Sequence, residues 1–330
     1  MPKPVARLRS PAQLVASLPL WLGFLPTESL VAICCHEPRG RVGLTMRFDL
    51  PAPEHEPLLV RDVVRRVRQQ RASRVVLAVY TAEPDGERRA RAHLVEELRA
   101  AVTGVVTEAV LVRAGRFWSY LCSEPACCPA AGTPVDDARD SAPVRLLEAE
   151  QVLNGRAVLP DRTALAATVA GPVLLAAEVA AQRCEVAARL LTQAIRETGL
   201  TAAGDASLRA WREAVARFRA PPARLGEMEA AALAVSLVDV RVRDRLIAAR
   251  RADVPGLLAL LEELARRTPA PYDAAVCTVL AWLAYCEGGG PLVTIALDRA
   301  LATDPGYRLA QLLQQAVLAQ LPPAQLRLAG

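Results

Sequence analysis

Three cysteines, Cys122, Cys127 and Cys128, fall within seven residues in the stretch "SYLCSEPACCPAAGTPVDD". Thiolates are soft ligands for zinc, copper(I) and iron–sulfur clusters, and they are the nucleophiles of redox pairs, so this loop is the first place to look for chemistry. A closed zinc or iron–sulfur site takes four ligands, and the loop holds no fourth at a matching spacing. Cys34, Cys35 and His36 would have to reach it from a distant strand. Adjacent side chains on an extended backbone face opposite ways, which would turn Cys127 away from Cys128, and Glu124 opposes thiolate formation by like charge. The expectation is a rigid loop fixed by Pro125, Pro129 and Pro134, with the cysteines filling small apolar gaps, no metal and no cofactor.

A second constellation sits at strand ends. "PTESL" puts Glu28 and Ser29 just before one apolar run, and "RFDLP" puts Arg47 and Asp49 at the end of the next. In an antiparallel hairpin those two ends lie side by side. Arg47 could then grip an anionic group while a carboxylate acts as base, with Trp118 and Tyr120 of a later strand as walls. The competing arrangement is structural: an Arg47 to Glu28 ion pair, Asp49 capping a turn, and Trp118 and Tyr120 in the core.

Other enzyme classes lack their signatures. Lys3 is the only lysine, so no Walker-type phosphate loop exists, and no G-x-G-x-x-G follows a strand. His36, His55 and His93 have no H-E-x-x-H spacing, and there is no G-x-S-x-G nucleophile turn. A complete catalytic set is absent, which leaves the enzyme question open and favours a protein that binds rather than reacts.

The elements that position these residues follow from periodicity. "SLVAICCH" and "RVGLTMRFDLP" form a hairpin around "EPRG", because Val42, Leu44, Met46 and Phe48 alternate with smaller or polar residues. A helix from about Pro57 to Arg71 leads into "RVVLAVY", an apolar run suited to a strand buried on both faces. A helix from Gly86 to Ala101 feeds "VTEAVLVR", and "GRFWSYLC" runs on into the cysteine loop. Ser10 and Pro11 cap a short first helix, Ala12 to Leu20. Everything beyond "PVDDARDSAP" reads as helix: Asp161 precedes two buried helices in "TALAATVAGPVLLAA", Asp205 caps a helix stopped by Pro221 and Pro222, and Asp253 caps another.

This order predicts a mixed α/β, α+β fold: an N-terminal β-sheet with packed helices over residues 1–137, a linker over 138–160, and an all-helical domain over 161–330. The last helices, with Gly288 to Gly290, Ala300 and Pro305, imitate one tetratricopeptide-like helical hairpin. A single unit falls short of the three a solenoid needs.

The 330 residues carry 40 basic and 35 acidic side chains, a net charge of +5. That spread lacks the clustered stripe that phosphate backbones select, and Arg65, Arg66, Arg68 and Arg71 read as the solvated face of a packed helix, so nucleic acid is not an expected partner. No run reaches the ~20 apolar residues of a membrane span, and the N-terminal apolar stretch is broken by Gln13, Ser17 and Pro19. The reading places the chain in the cytoplasm with its eight cysteines reduced.

"LGFLPTESLVAI", "RFDLP", "SYLCSEPACCPAAGTPV" and "ALDRALATDPGYRLAQLL" together resemble an actinobacterial family known as a domain of unknown function, DUF4192. The resemblance covers essentially the whole chain and implies a bacterial protein of this layout; it carries no catalytic residues with it. Three functional readings follow. The first is a non-enzymatic interaction or scaffold protein whose helical domain presents a groove to a protein partner. The second is an enzyme or small anionic-ligand binder using Glu28, Ser29, Arg47 and Asp49. The third is a metal or redox site at the cysteines.

Overall fold

The structure is a computed structural model and describes residues 5–86, 89–153, 156–219, 223–250 and 252–326. The chain divides into two compact units, Met1–Asp161 and Arg162–Gly330.

The first unit is built on a six-stranded mixed sheet in the order β2-β1-β3-β4-β5-β6. Its strands are β1 (Ser29–His36), β2 (Arg41–Asp49), β3 (Arg74–Tyr80), β4 (Val106–Arg113), β5 (Arg116–Ser119) and β6 (Thr133–Pro134). β3 and β4 run parallel, while β1 pairs antiparallel with both β2 and β3. β1 is therefore an interior strand, which is why "SLVAICC" is buried throughout rather than alternating.

Helices cover both faces. α2 (Glu56–Gln70) and α3 (Ala92–Ala101) bury Val63, Val64, Val67, Leu94 and Leu98 against Leu30, Cys34, Leu77, Val79 and Leu111 of the sheet. Residues of opposite parity, among them Val31, Ile33, Ala78 and Val110, are also buried. On that side α1 (Pro11–Leu22) contacts β4, α4 (Asp136–Arg139) and α5 (Ala142–Leu153). Ser10 caps α1 by accepting the Gln13 N–H at 3.2 Å, and Gly23 ends it at φ 80°, a left-handed conformation that costs glycine little.

The segment 138–160 differs from the expected linker. Arg139, Arg145 and Glu148 lie exposed on α4 and α5, while Ala138 and Val144 are buried. Farther on, Leu159 N–H donates to Gly23 O at 2.9 Å and Leu25 N–H donates to Leu159 O at 3.0 Å, so the chain stays bonded to this unit nearly to its end.

The second unit is helical among its described residues. It comprises α6 (Arg162–Ala167), α7 (Leu174–Thr198), α8 (Leu200–Phe218), α9 (Glu227–Ser236), α10 (Val240–Ile247), α11 (Val254–Arg267), α12 (Asp273–Cys286), α13 (Gly290–Thr303) and α14 (Arg308–Leu318). α12 is buried almost all round and packs on α9, α10, α11, α13 and α14. That is the setting of a bundle's central helix rather than of a hairpin closing one end.

Two local expectations change, and a third falls outside what the structure describes. Asp205 lies inside α8, which begins at Leu200 directly after Gly199. The expected stops Pro221 and Pro222 lie outside the described residues. In "TALAATVAGPVLLAA", α6 buries none of its side chains and Leu174 and Leu175 are exposed. Among the described residues no helix is long and apolar enough to cross a membrane.

Candidate functional site

The strand-end constellation assembles in part. Ser29 pairs with Asp49 across the β1–β2 ladder, as the hairpin requires. Arg47 Nε donates to Ser29 Oγ at 2.8 Å, and its guanidinium meets Asp49 Oδ1 at 2.6 Å. Glu28 turns the other way: its carboxylate accepts from Thr81 Oγ1 at 2.9 Å and from the Ala82 N–H at 2.7 Å, tying the start of β1 to the end of β3. The ion pair is thus Arg47 to Asp49, not Arg47 to Glu28. The Arg47 side chain is only 13% exposed against 83% for Asp49, so the guanidinium is occupied and largely covered.

Trp118 and Tyr120 do not join this group. β5 lies four strands from β2, roughly 19 Å at ~4.8 Å per strand. Trp118 Nε1 donates to Ala130 O at 3.0 Å, the Arg113 guanidinium lies 5.2 Å from its ring centroid, and Tyr120 Oη donates to Ala90 O at 2.7 Å. Burial pushes the Tyr120 phenol well above its ordinary range.

A polar cluster that sequence reading missed occupies the carboxyl ends of the parallel pair β3 and β4, where open α/β sheets bind ligands. Arg91 donates to Glu56 and Glu83, each at 2.7 Å, and to Pro51 O at 3.1 Å. Arg113 meets Asp85 at 3.3 Å. These contacts stitch the segment after β3 to the sheet and leave both guanidinium groups engaged.

The cysteines are where the structure departs furthest from expectation. Cys127 N–H and Cys128 N–H both donate to Glu124 O, at 3.2 and 2.7 Å, so the backbone is a tight turn and not extended. Adjacent side chains consequently point the same way. The Cys122 and Cys127 sulfurs are 3.2 Å apart, those of Cys127 and Cys128 3.8 Å, and all three lie within 4.8 Å of one another. Cys127 is exposed and the other two half-buried, so they fill no apolar gap. The Cys127 thiol beside it lowers the Cys122 pKa, whereas loss of water and the two neighbouring sulfurs push Cys128 up to about 12. Cys34 and Cys35 are buried in β1, three strands away.

The helical unit holds a groove of about 400 Å³ between α7, the start of α8 and the α9–α10 connection. Leu191, Ile195, Leu200, Ala203, Val238 and Val240 form its apolar walls. Leu200, Val238 and Val240 are 53, 76 and 52% exposed. Gly199, at φ 85°, lets α7 and α8 meet at a sharp corner. Gly204 lets the Asp239–Arg241 pair approach α8, since a Cβ there would sit 2.7 Å from Arg241 Nη2.

Arg241 is spent inside the groove wall, donating to Leu200 O at 2.8 Å and to Asp239. Burial would raise the Asp239 carboxyl, but hydrogen bonds from the Arg241 side chain and backbone hold it below the ordinary range. Beneath, buried Trp211 donates Nε1 to Ser236 Oγ at 2.9 Å, and that hydroxyl donates to Leu233 O. With both serine hydroxyls of the lining bonded to backbone carbonyls, the groove offers apolar contact and no acid–base pair.

A family model described as "Domain of unknown function (DUF4192)" matches residues 11–324. The chain belongs to the DUF4192 family. Within this DUF4192 chain the match runs through the strand ends, the cysteine loop and the groove alike. Comparison with curated proteins and with solved structures gives no match.

Proposed function

We propose that this chain is a non-enzymatic interaction protein whose helical unit takes the apolar face of a partner's amphipathic helix into the groove between α7, α8 and the α9–α10 connection. The observation that carries the reading is the exposure of Leu200, Val238 and Val240 along one apolar depression whose only charged pair, Asp239 and Arg241, is already satisfied internally. A charged small molecule would find no free counter-charge there. A row of aliphatic side chains would find walls on three sides, the helix-in-groove mode of recognition.

Full burial of an aliphatic side chain returns ~1.5–3 kcal/mol, so covering these three by the fractions now exposed returns about 3–5 kcal/mol before the cost of association. The strand-end reading is weaker because Arg47 is engaged by Ser29 and Asp49. A bacterial, actinobacterial source and a cytoplasmic location belong to the same proposal; eight cysteines, all free, suit a reducing compartment.

The test is selection from a displayed library of helical peptides on the full chain, counter-selected on a Leu200→Glu, Val238→Asp variant of unchanged circular dichroism. Enrichment of peptides with apolar residues at i, i+3 or i+4, and i+7 that lose affinity for the variant is the expected result. Equal binding to both proteins, or no enrichment, would remove the groove from the account.

A further inference from the structure

The loop joining β5 to β6 is held at both ends by side chains of β5. Ser119 Oγ accepts the N–H groups of Leu121 and Cys122 at 3.0 and 3.1 Å. Arg116 donates to Ala131 O at 2.7 Å and to Gly132 O at 3.0 Å, and Trp118 donates to Ala130 O at 3.0 Å. Gly132, at φ 75°, lies against the Trp118 indole so closely that a Cβ would collide with the ring. Between these anchors the turn closed on Glu124 O gathers three sulfurs near the surface.

Packing does not account for that convergence. A cysteine that serves the core is buried, as Cys34, Cys184 and Cys277 are, whereas Cys127 is exposed. Thiol hydrogen bonds are weak and would not hold three side chains together in water. A cation would: zinc bound at ~2.3 Å by thiolates in a tetrahedron has sulfur–sulfur edges of about 3.8 Å, beside 3.2 Å for Cys122 to Cys127 and 3.8 Å for Cys127 to Cys128.

We propose that Cys122, Cys127 and Cys128 bind one zinc ion through three thiolates, with the fourth coordination position open to solvent on the Cys127 side. Thiolate ligation selects a soft or borderline ion over calcium or magnesium, which take oxygen ligands. Three protein ligands with one open position is the composition of a zinc site that exchanges a ligand, whereas a closed structural site has four. Binding releases the thiol protons and brings the sulfurs into a single sphere. The β5 anchors fix both ends of the loop beforehand, so little chain has to be ordered.

The experiment uses the full chain, reduced and freed of metal by chelation, titrated with zinc against a chromophoric competitor and separately with cobalt(II). The expected result is one equivalent of metal, proton release on binding, and near-ultraviolet sulfur-to-cobalt charge-transfer bands of three-thiolate intensity. Cys127→Ser and Cys128→Ser should each weaken zinc by roughly a hundredfold or more with an unchanged circular dichroism spectrum, while Cys286→Ser, an exposed cysteine of the other unit, should bind as the parent does. Absence of stoichiometric zinc, cobalt bands without thiolate character, or equal losses in Cys286→Ser would overturn the site. A Cys122–Cys127 disulfide that persists in freshly isolated protein and excludes metal would overturn it too, in favour of a redox pair.

Discussion

Replacing Arg47 by methionine separates a structural from a ligand-binding role at the strand ends. Methionine keeps the apolar stem and removes the guanidinium, so the loss is confined to two contacts. The hydrogen bond to Ser29 Oγ ends on a serine that is fully buried. A bond between a charged group and such a partner contributes ~1.5–3 kcal/mol. The ion pair with Asp49 adds little, because that carboxylate is 83% exposed and solvent screens it to well under ~1 kcal/mol. The expected cost is about 2–3 kcal/mol. At ~2–4 °C per kcal/mol for a unit of this size, the α/β unit should melt roughly 4–12 °C lower. Asp49→Asn should shift it by no more than about 2 °C. Calorimetry of the full chain resolves the shift. An unchanged melting temperature in Arg47→Met together with lost phosphate binding would refute the reasoning and restore an anion pocket.

Arg299 donates to Oδ2 of buried Asp273 at 2.8 Å, and Asp273 Oδ1 has no hydrogen-bond partner; Arg299→Met should cost about 3–5 kcal/mol by stranding that charge, and adding Asp273→Asn should recover much of it in urea unfolding. In metal-free native protein a thiol reagent should modify exposed Cys127 and Cys286 and half-buried Cys122, whose pKa is lowered, whereas Cys34 and Cys277, buried out of the reagent's reach, should react only after unfolding. Asp239, held below the ordinary carboxyl range, stabilises the helical unit above its unfolded pKa of ~3.9, a contribution lost as pH falls through the lower folded value. Asp239→Asn should therefore be less stable than the parent at pH 6 and converge with it below about pH 4, as urea midpoints would record.

The sheet was legible because its strands carry their own signals. Val42 to Phe48 alternate, β3 is continuously apolar, and the ladder joins Ser29 to Asp49 as the hairpin demands. The misreadings arose where one local cue stood in for geometry. Asp136, Asp137, Arg139 and Asp140 suggested a linker, yet they are the wet sides of short helices whose Val135, Ala138 and Val144 are buried. Asp205 looked like a cap, but the glycine six residues earlier sets the corner between α7 and α8.

The cysteine loop was located from sequence and its geometry was not. Divergence of Cys127 and Cys128 assumed an extended chain, and nothing in the sequence announces that both N–H groups close on Glu124 O. Trp118 and Tyr120 share no strand pair with Arg47, a fact that only the strand order reveals. The groove was expected merely as a feature of the helical domain. Its walls come from residues separated by up to 50 positions, Leu191 to Arg241, brought together by the positive φ of Gly199 and the close approach at Gly204, neither of which periodicity encodes.

Site-specific photo-cross-linking in living cells tests the partner-docking claim most directly. A photoreactive residue replaces Val238 at the groove mouth, and a matched control replaces His93, which is exposed on α3. The account predicts one discrete cross-linked protein at position 238, absent at 93 and lost when Leu200→Glu is added. The same adducts at both positions, or persistence of the adduct in the Leu200→Glu background, would contradict it.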